Sequence, residues 1–246
     1  MRQDLMIRVL GPIDLVGPAG VVAIGSRNLR ALLGSLAISV GHATPADQLA
    51  FAIWGDDLPR SVDNTLQSYV SRLRRLLGPD AIRSEDHSYQ LDAGPDQLDA
   101  LVFERLLLEA TDARSEPSRC QPLCRAALDL WRGQPFGELG DDEPFRLEAL
   151  RLDELRVAAM ELSLEAELAL GHQELIVGEL ENAVEEYPYR ERLWLLLIEA
   201  LMQDDRRVEA MRACTRLRAV LADTGMEAQA ELRKLEGQIL GAEASG

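Results

Sequence analysis

The chain has 246 residues, 47% of them hydrophobic and 28% charged, with a net charge of −16, which is enough apolar content for one large domain or two ordinary ones and too little low-complexity sequence for a disordered chain. No apolar run approaches the roughly 18–20 residues of a membrane span; the densest, Leu193 to Met202, is about half that and contains Glu199. Three cysteines do not make a disulfide scaffold, and the opening MRQDLMIRVLGP lacks a signal peptide's apolar core, so a reducing cytoplasm and no membrane are expected.

Three short β-rich runs open the chain, Leu5 to Leu10, Ile13 to Val16 and Val21 to Ile24, separated by Gly11-Pro12 and Gly17-Pro18-Ala19-Gly20. A helical period follows from about Arg27 to Ser39, with Leu29, Leu32, Leu33, Leu36 and Ala37 on one face and Gly41 as a stop. Thr44-Pro45-Ala46-Asp47 predicts a helix start, with Thr44 as the cap, Pro45 in the first turn and Asp47 where its charge suits the helix N-terminus. That helix carries Leu49, Ala52 and Ile53 and ends near Trp54-Gly55. Beyond the polar loop Asp56-Asp57-Leu58-Pro59-Arg60, a third helix runs from about Val62 to Leu77, with Ser61 as a cap and Gly78-Pro79 as terminator. Ile82-Arg83-Ser84 and Ser88-Tyr89-Gln90-Leu91 then flank Glu85-Asp86-His87 as a β-hairpin.

After Ala93-Gly94-Pro95 the periodicity is helical throughout, at about 98–114, 117–132, 144–170, 173–187, 190–203, 206–223 and 228–240. Ala166/Ala200, Leu168/Met202 and Gly171/Asp205 match at an offset of 34, the tetratricopeptide period. The expected fold is α+β and mostly α. A winged helix-turn-helix with a small N-terminal β-sheet occupies 1–95, and an all-α, tetratricopeptide-like helical-repeat domain occupies 96–246.

Charge is divided unequally between these parts. Residues 1–95 hold nine arginines against ten Asp and Glu, net −1, while 96–246 hold 17 basic against 32 acidic residues, net −15. From Arg60 to Arg83, five arginines face only Asp63 and Asp80, net +3. A local basic face inside an acidic chain is an electrostatic footprint for nucleic acid.

The third helix carries that footprint. Leu66, Val70, Leu73 and Leu77 share one side, where they should pack on the domain. Asn64, Ser68, Ser71 and Arg75 project from the other, with Arg72 beside them, Gln67 and Arg74 on the shoulders and Thr65 on the first turn. Short polar side chains let the backbone approach base edges, where Asn and Gln can pair with adenine and Arg with guanine. Arginines further along can hold phosphates and set register. Double-stranded DNA is therefore the expected partner. The −15 part should instead meet proteins with basic patches, as helical-repeat grooves do; within it, Trp131, Tyr187, Trp194 and Leu197 are expected in the core.

Chemistry of other kinds is missing. Cys120 and Cys124 would share a helix face without further ligands nearby, and Cys214 and three scattered histidines complete no metal set. His42, His87 and His172 belong to no nucleophile-base arrangement. No enzyme, metal or cofactor is expected.

Val9-Leu10-Gly11-Pro12, the stretch Trp54 to Pro59, the stretch Asn64 to Arg75, and Ser88-Tyr89-Gln90-Leu91 resemble the OmpR-type winged helix of the Streptomyces antibiotic regulatory proteins. Ala127 to Gly133, Leu152 to Arg156, Glu165 to Gly171 and Tyr187 to Leu193 are similar to that family's bacterial transcriptional activation domain. The resemblance runs in order along nearly the whole chain, without the Walker-type Gly-rich loop of larger relatives. It implies a transcriptional activator that binds direct repeats near a promoter, self-associates on DNA and contacts RNA polymerase. In this type of winged helix the loop before the third helix is exposed, so Asp56 and Asp57 are candidates for the polymerase contact. One departure lies in the hairpin tip, where the family carries small or basic residues and this chain carries Glu85 and Asp86. Carboxylates there oppose phosphate, leaving Arg83 as the wing's phosphate ligand. The alternative is a protein-interaction module with a weakened or vestigial DNA-binding domain.

Overall fold

The structure, a computed structural model, describes residues 4–223 and 230–241. Its first elements are β1 Met6–Arg8, β2 Asp14–Gly17, β3 Gly20–Val22, α1 Arg27–Ile38, β4 Thr44–Pro45, α2 Ala46–Trp54, α3 Val62–Leu77, β5 Ile82–Glu85 and β6 Ser88–Leu91. Helices follow: α4 Asp99–Asp112, α5 Pro117–Leu128, α6 Phe145–Ala169, α7 Gln173–Glu186, α8 Glu191–Gln203, α9 Arg207–Asp223 and α10 Ala230–Gly241. The α+β, mostly helical order is the one the sequence predicts; residues 228–229 of the last expected helix lie outside the described residues.

By packing, the chain forms two compact units, one of residues up to Leu108 with Ala126–Val157, the other of Glu109–Arg125 with residues from Ala158 onward. In the first, β1, β2 and β3 form an antiparallel sheet in which Ile7 faces Leu15 and Leu15 faces Val22. Ile7 and Leu15 are fully buried while their neighbours along the strands are not, the period-two alternation of a sheet with one covered face. Helix α1 starts at a working cap, the Ser26 hydroxyl accepting from Leu29 N at 3.3 Å.

The expected start of α2 needs correction. Thr44 caps nothing. Thr44–Pro45 is a strand, β4, in a second sheet of order β4-β6-β5, where Thr44 faces Tyr89. Pro45 occupies the cap position without a side-chain bond, and α2 begins at Ala46. Ser61 likewise precedes α3 without a side-chain cap; its carbonyl accepts from Thr65 N at 3.2 Å and Thr65 Oγ1 at 2.8 Å instead. Gly78 ends α3 at φ 114°, a conformation L residues avoid, with its N–H returned to the Arg74 carbonyl.

The first unit extends past residue 95 because residues 96–108 and 126–136 close the gap at β1. Asp99, 1% exposed, accepts from Val9 N at 2.8 Å and Leu10 N at 3.1 Å. Ile7 N donates to the Gln97 carbonyl, Arg132 N to that of Leu10 and Phe136 N to that of Val9, each at 2.8 Å. Arg132 Nη2 lies 3.8 Å from Asp99, and its Nη1 donates to the Pro12 carbonyl at 3.1 Å. The strand-loop amides thus end on a carboxylate from 90 positions away. Trp131 is half-buried here, edge-on to Phe103 at 5.3 Å.

In the second unit α7 packs on α8, α8 on α9 and α10 on both α8 and α9. The core is built from Leu164, Leu180, Leu193, Trp194, Leu197 and Leu217 among others, with Tyr187 partly buried against it. The 34-residue repeat is visible in the turns: Gly171 after α6 has φ 79° and Asp205 after α8 has φ 56°, the same left-handed step. Asp tolerates that region better than most residues, which is how a carboxylate replaces the turn glycine. Cys120 and Cys124 are buried with sulfurs 4.0 Å apart, and burial pushes the Cys124 thiol up to about 12.

Candidate nucleic-acid interface

Helix α3 is placed by its apolar stripe. Leu66, Val70, Leu73 and Leu77 are each at most 1% exposed, and at roughly 1.5–3 kcal/mol per fully buried side chain they fix the helix's rotation. Asn64, Gln67, Ser68, Ser71, Arg72 and Arg75 are then exposed together along the opposite side. Arg72 has no hydrogen bond or ion pair to any described residue. Arg60, one residue before the helix cap, is also exposed and unpaired among the described residues; it belongs to the basic window but not to the contacts that the helical period predicts.

Thr65 and Arg74 have local work. Thr65 is half-buried, with its hydroxyl given to Ser61. Arg74 reaches across to the hairpin, where Nε and Nη2 donate to the Ile82 carbonyl at 2.9 and 2.7 Å and Nη2 also to Ser84 Oγ at 2.6 Å. That guanidinium braces the wing against α3.

The wing turns through Asp86 and His87, both left-handed at φ 44° and 57°, with Glu85 paired to Ser88. Positive φ at both central residues gives a two-residue hairpin turn whose twist suits the strands, so the loop is one residue tighter than the three-residue tip expected. The His87 carbonyl accepts from Ala46 N at 2.9 Å, which ties the tip to the start of α2. Glu85 and Asp86 are exposed. Arg83, on β5, is exposed and forms an ion pair with Asp92. Tyr89 is half-buried on β6, where burial raises its phenol above the ordinary range.

The loop before α3 is pinned at its start. Trp54 stacks on Tyr69 of α3 at 5.9 Å and 29°, Gly55 N donates to the Phe51 carbonyl at 2.7 Å, and Asp57 N to that of Trp54 at 3.0 Å. Asp56, Asp57 and Leu58 are exposed on it.

Residues 98–240 match the family described as bacterial transcriptional activator domain, and residues 22–88 match transcriptional regulatory protein, C terminal. The regulatory protein DnrI of Streptomyces peucetius is 31% identical over 97% of this chain and 93% of its own length. The chain belongs to the Streptomyces antibiotic regulatory protein family. Members of this family are transcriptional regulators, not enzymes. The regulatory protein AfsR of Streptomyces griseus is 34% identical over 97% of this chain, which spans only 25% of AfsR. The structure of Mycobacterium tuberculosis EmbR in complex with a low-affinity phosphopeptide superposes with a TM-score of 0.90 at 30% identity, covering 97% of this chain and 65% of that one. Among the described residues no helix is long and apolar enough to cross a membrane.

Proposed function

We propose that this chain is a cytoplasmic, sequence-specific activator of transcription that binds double-stranded DNA at direct repeats near a promoter, two copies associating side by side on the site. The observation that carries the reading is the exposed face of α3, where short polar side chains and guanidiniums stand on a helix locked by four buried apolar residues. Asn64 and Gln67 read base edges, Ser68 and Ser71 let the backbone come close, and Arg72 and Arg75 hold phosphates. Arg74 positions the wing. Arg83 meets phosphate by leaving Asp92, a small cost because an exposed ion pair is worth about 0–1 kcal/mol. Thr65 shapes the first turn of the reading helix. RNA polymerase meets the pinned loop through Asp56 and Asp57. The 1–95 segment, in this reading, is the DNA-binding domain and 96–246 the activation domain.

Fluorescence anisotropy with duplexes from the protein's own promoter neighbourhood, compared with random duplex at two salt concentrations, tests this. Specific fragments should bind tighter at physiological salt, and Asn64→Ala should relax base preference by about 1–3 kcal/mol. Equal binding to both duplexes would remove the proposal.

A second reading, an interaction module with weakened DNA affinity, draws on the acidic tip at Glu85 and Asp86 and on the pairing of Arg83 with Asp92. It requires wild-type protein to show no specific binding and the Glu85→Lys, Asp86→Lys double variant to restore affinity. Tight wild-type binding dismisses it.

A further inference from the structure

Cys120 and Cys124 stand one turn apart on α5, both 0% exposed, with their sulfurs 4.0 Å apart. Burial pushes both thiols above the ordinary range, Cys124 to about 12, so at neutral pH the pair is held as an S–H···S contact. Cys214 on α9 is buried as well, with no second sulfur beside it among the described residues.

Two chemistries are open to paired thiols, and the helix separates them. Residues four apart on a helix keep their Cβ atoms about 5–6 Å apart, whereas a disulfide needs about 3.5–4.5 Å. Oxidation would therefore require α5 to unwind. A metal ion between the sulfurs asks for much less. Metal–thiolate bonds of about 2.3 Å put two sulfurs roughly 4.0–4.6 Å apart as the angle at the metal opens from about 120° to 180°. The thiols already stand at that spacing, and an ion that takes the place of the shared proton needs no cavity.

The donor set selects the ion. Thiolates are soft ligands, which suit copper(I), zinc and iron–sulfur clusters. Zinc in a structural site and the clusters take four protein ligands. Among the described residues no group of three or more His, Cys, Asp and Glu side chains is placed to share an ion. Copper(I), a closed-shell monovalent cation, is stable with two thiolates, the case left open by a sequence reading made for more ligands.

Two thiolates and one monovalent cation carry a charge of −1, and the surroundings offer partial compensation. Cys120 lies in the first turn of α5, where the helix amides present partial positive charge. The Arg114 guanidinium acts on Cys120 in the same sense, and Glu165, held by Arg114 and Arg192, opposes it. Entry runs through the same turn. Pro122, exposed between the two cysteines, has no N–H to give the Ser118 carbonyl, so this turn opens with one fewer hydrogen bond to break.

We infer that Cys120 and Cys124 form a buried two-thiolate site for copper(I) in the second unit. On binding, two S–H bonds break, two Cu–S bonds form and two protons pass to water; no electron moves, and copper stays monovalent. The inference is independent of DNA binding, since neither cysteine belongs to the first unit.

The full chain, reduced and kept under argon, should withdraw one copper(I) per molecule from bicinchoninate, a coloured copper(I) chelator. Cys214→Ala should withdraw the same amount. Cys120→Ala and Cys124→Ala should each bind at least about a hundredfold more weakly, with circular dichroism checking that they fold. Two further measurements need only wild-type protein. X-ray absorption at the copper edge should show two sulfur neighbours and no nitrogen or oxygen. Because two protons leave per ion, affinity should rise about a hundredfold per pH unit around neutrality. No withdrawal by wild type, a nitrogen or oxygen neighbour, a one-proton pH slope, or a folded Cys124→Ala protein that holds copper as wild type does would overturn the site.

Discussion

The tripeptide Arg-Leu-Arg occurs in α3 as Arg72-Leu73-Arg74 and in α9 as Arg216-Leu217-Arg218. In both the leucine enters the core, Leu73 at 0% and Leu217 at 1% exposure. The arginines part company. On α9 the Arg216 guanidinium lies 4.9 Å over the Trp194 ring and 2.7 Å from a Glu181 oxygen, and Arg218 donates through Nε to Glu236 at 2.7 Å. On α3, Arg74 meets an uncharged carbonyl and a hydroxyl, and Arg72 has no hydrogen bond or ion pair to any described residue. What neighbouring elements bring decides whether an arginine is consumed inside the fold or left as a positive charge at the surface. On α9 neighbouring carboxylates pair with both arginines; on α3 neither Arg72 nor Arg74 pairs with one among the described residues.

The largest expected effect comes from unseating the first unit, on which the α3 face depends. A carboxyl, protonated or not, presents an oxygen to each of the Val9 and Leu10 amides, whereas Asn at position 99 would turn its NH₂ toward one of them. Asp99→Asn should lower unfolding stability by about 2 kcal/mol near pH 5. Burial raises the Asp99 carboxyl from the ordinary 3.8 to about 6, against the pull of the two amides and Arg132. Between those values the folded protein holds more protons than the unfolded chain, so this group's contribution is full below about pH 4 and is lost as pH rises through about 6. The variant has no such loss. Urea denaturation across pH 4–7.5 should therefore show the gap between wild type and variant narrowing toward neutrality, and a gap that widens would contradict the assignment.

That carboxylate also marks where sequence reading stops. The ends of α3, Val62 and Leu77, follow from a 3.6-residue period and a glycine stop, both local, and the seven later helices are equally legible for the same reason. The exposure of Asn64, Gln67, Ser68 and Ser71 follows from the same geometry. Thr44-Pro45 reads as a helix start because its strand partner, Tyr89, lies 45 positions away and leaves no local trace. The closure of the first unit by Asp99 is hidden for the same reason. Pairing of charges was illegible too: nothing near Arg83 or Arg74 in sequence announces that one holds Asp92 and the other the wing.

The middle-sized effect belongs to α9. Arg216→Ala removes an alkyl stem and a cation from the face of a Trp194 ring that is 3% exposed, together with an ion pair to a Glu181 side chain that is 39% exposed. Cation–π contact and packing dominate, because the ion pair is screened by water, and the total loss should be about 1 kcal/mol. Thermal or urea unfolding measures it. DNA affinity and its salt dependence should be unchanged, and a drop in DNA affinity without a drop in stability would place α9 in the interface and dissolve the contrast with α3.

The smallest effect on the fold, and the most telling, is that of Arg72→Ala. An exposed side chain with no hydrogen bond or ion pair to any described residue has little to contribute to folding, so unfolding stability should stay within about 0.5 kcal/mol of wild type. Its contribution should appear only with DNA. Each phosphate contact releases condensed counter-ions, so losing one should flatten the slope of log affinity against log salt by about one unit, equally for specific and random duplexes. Arg218→Ala, the matching position on α9, should leave that slope unchanged. If the two variants alter the slope alike, the distinction between consumed and exposed arginines is wrong, because both would then act through the net charge of the whole chain rather than through a contact.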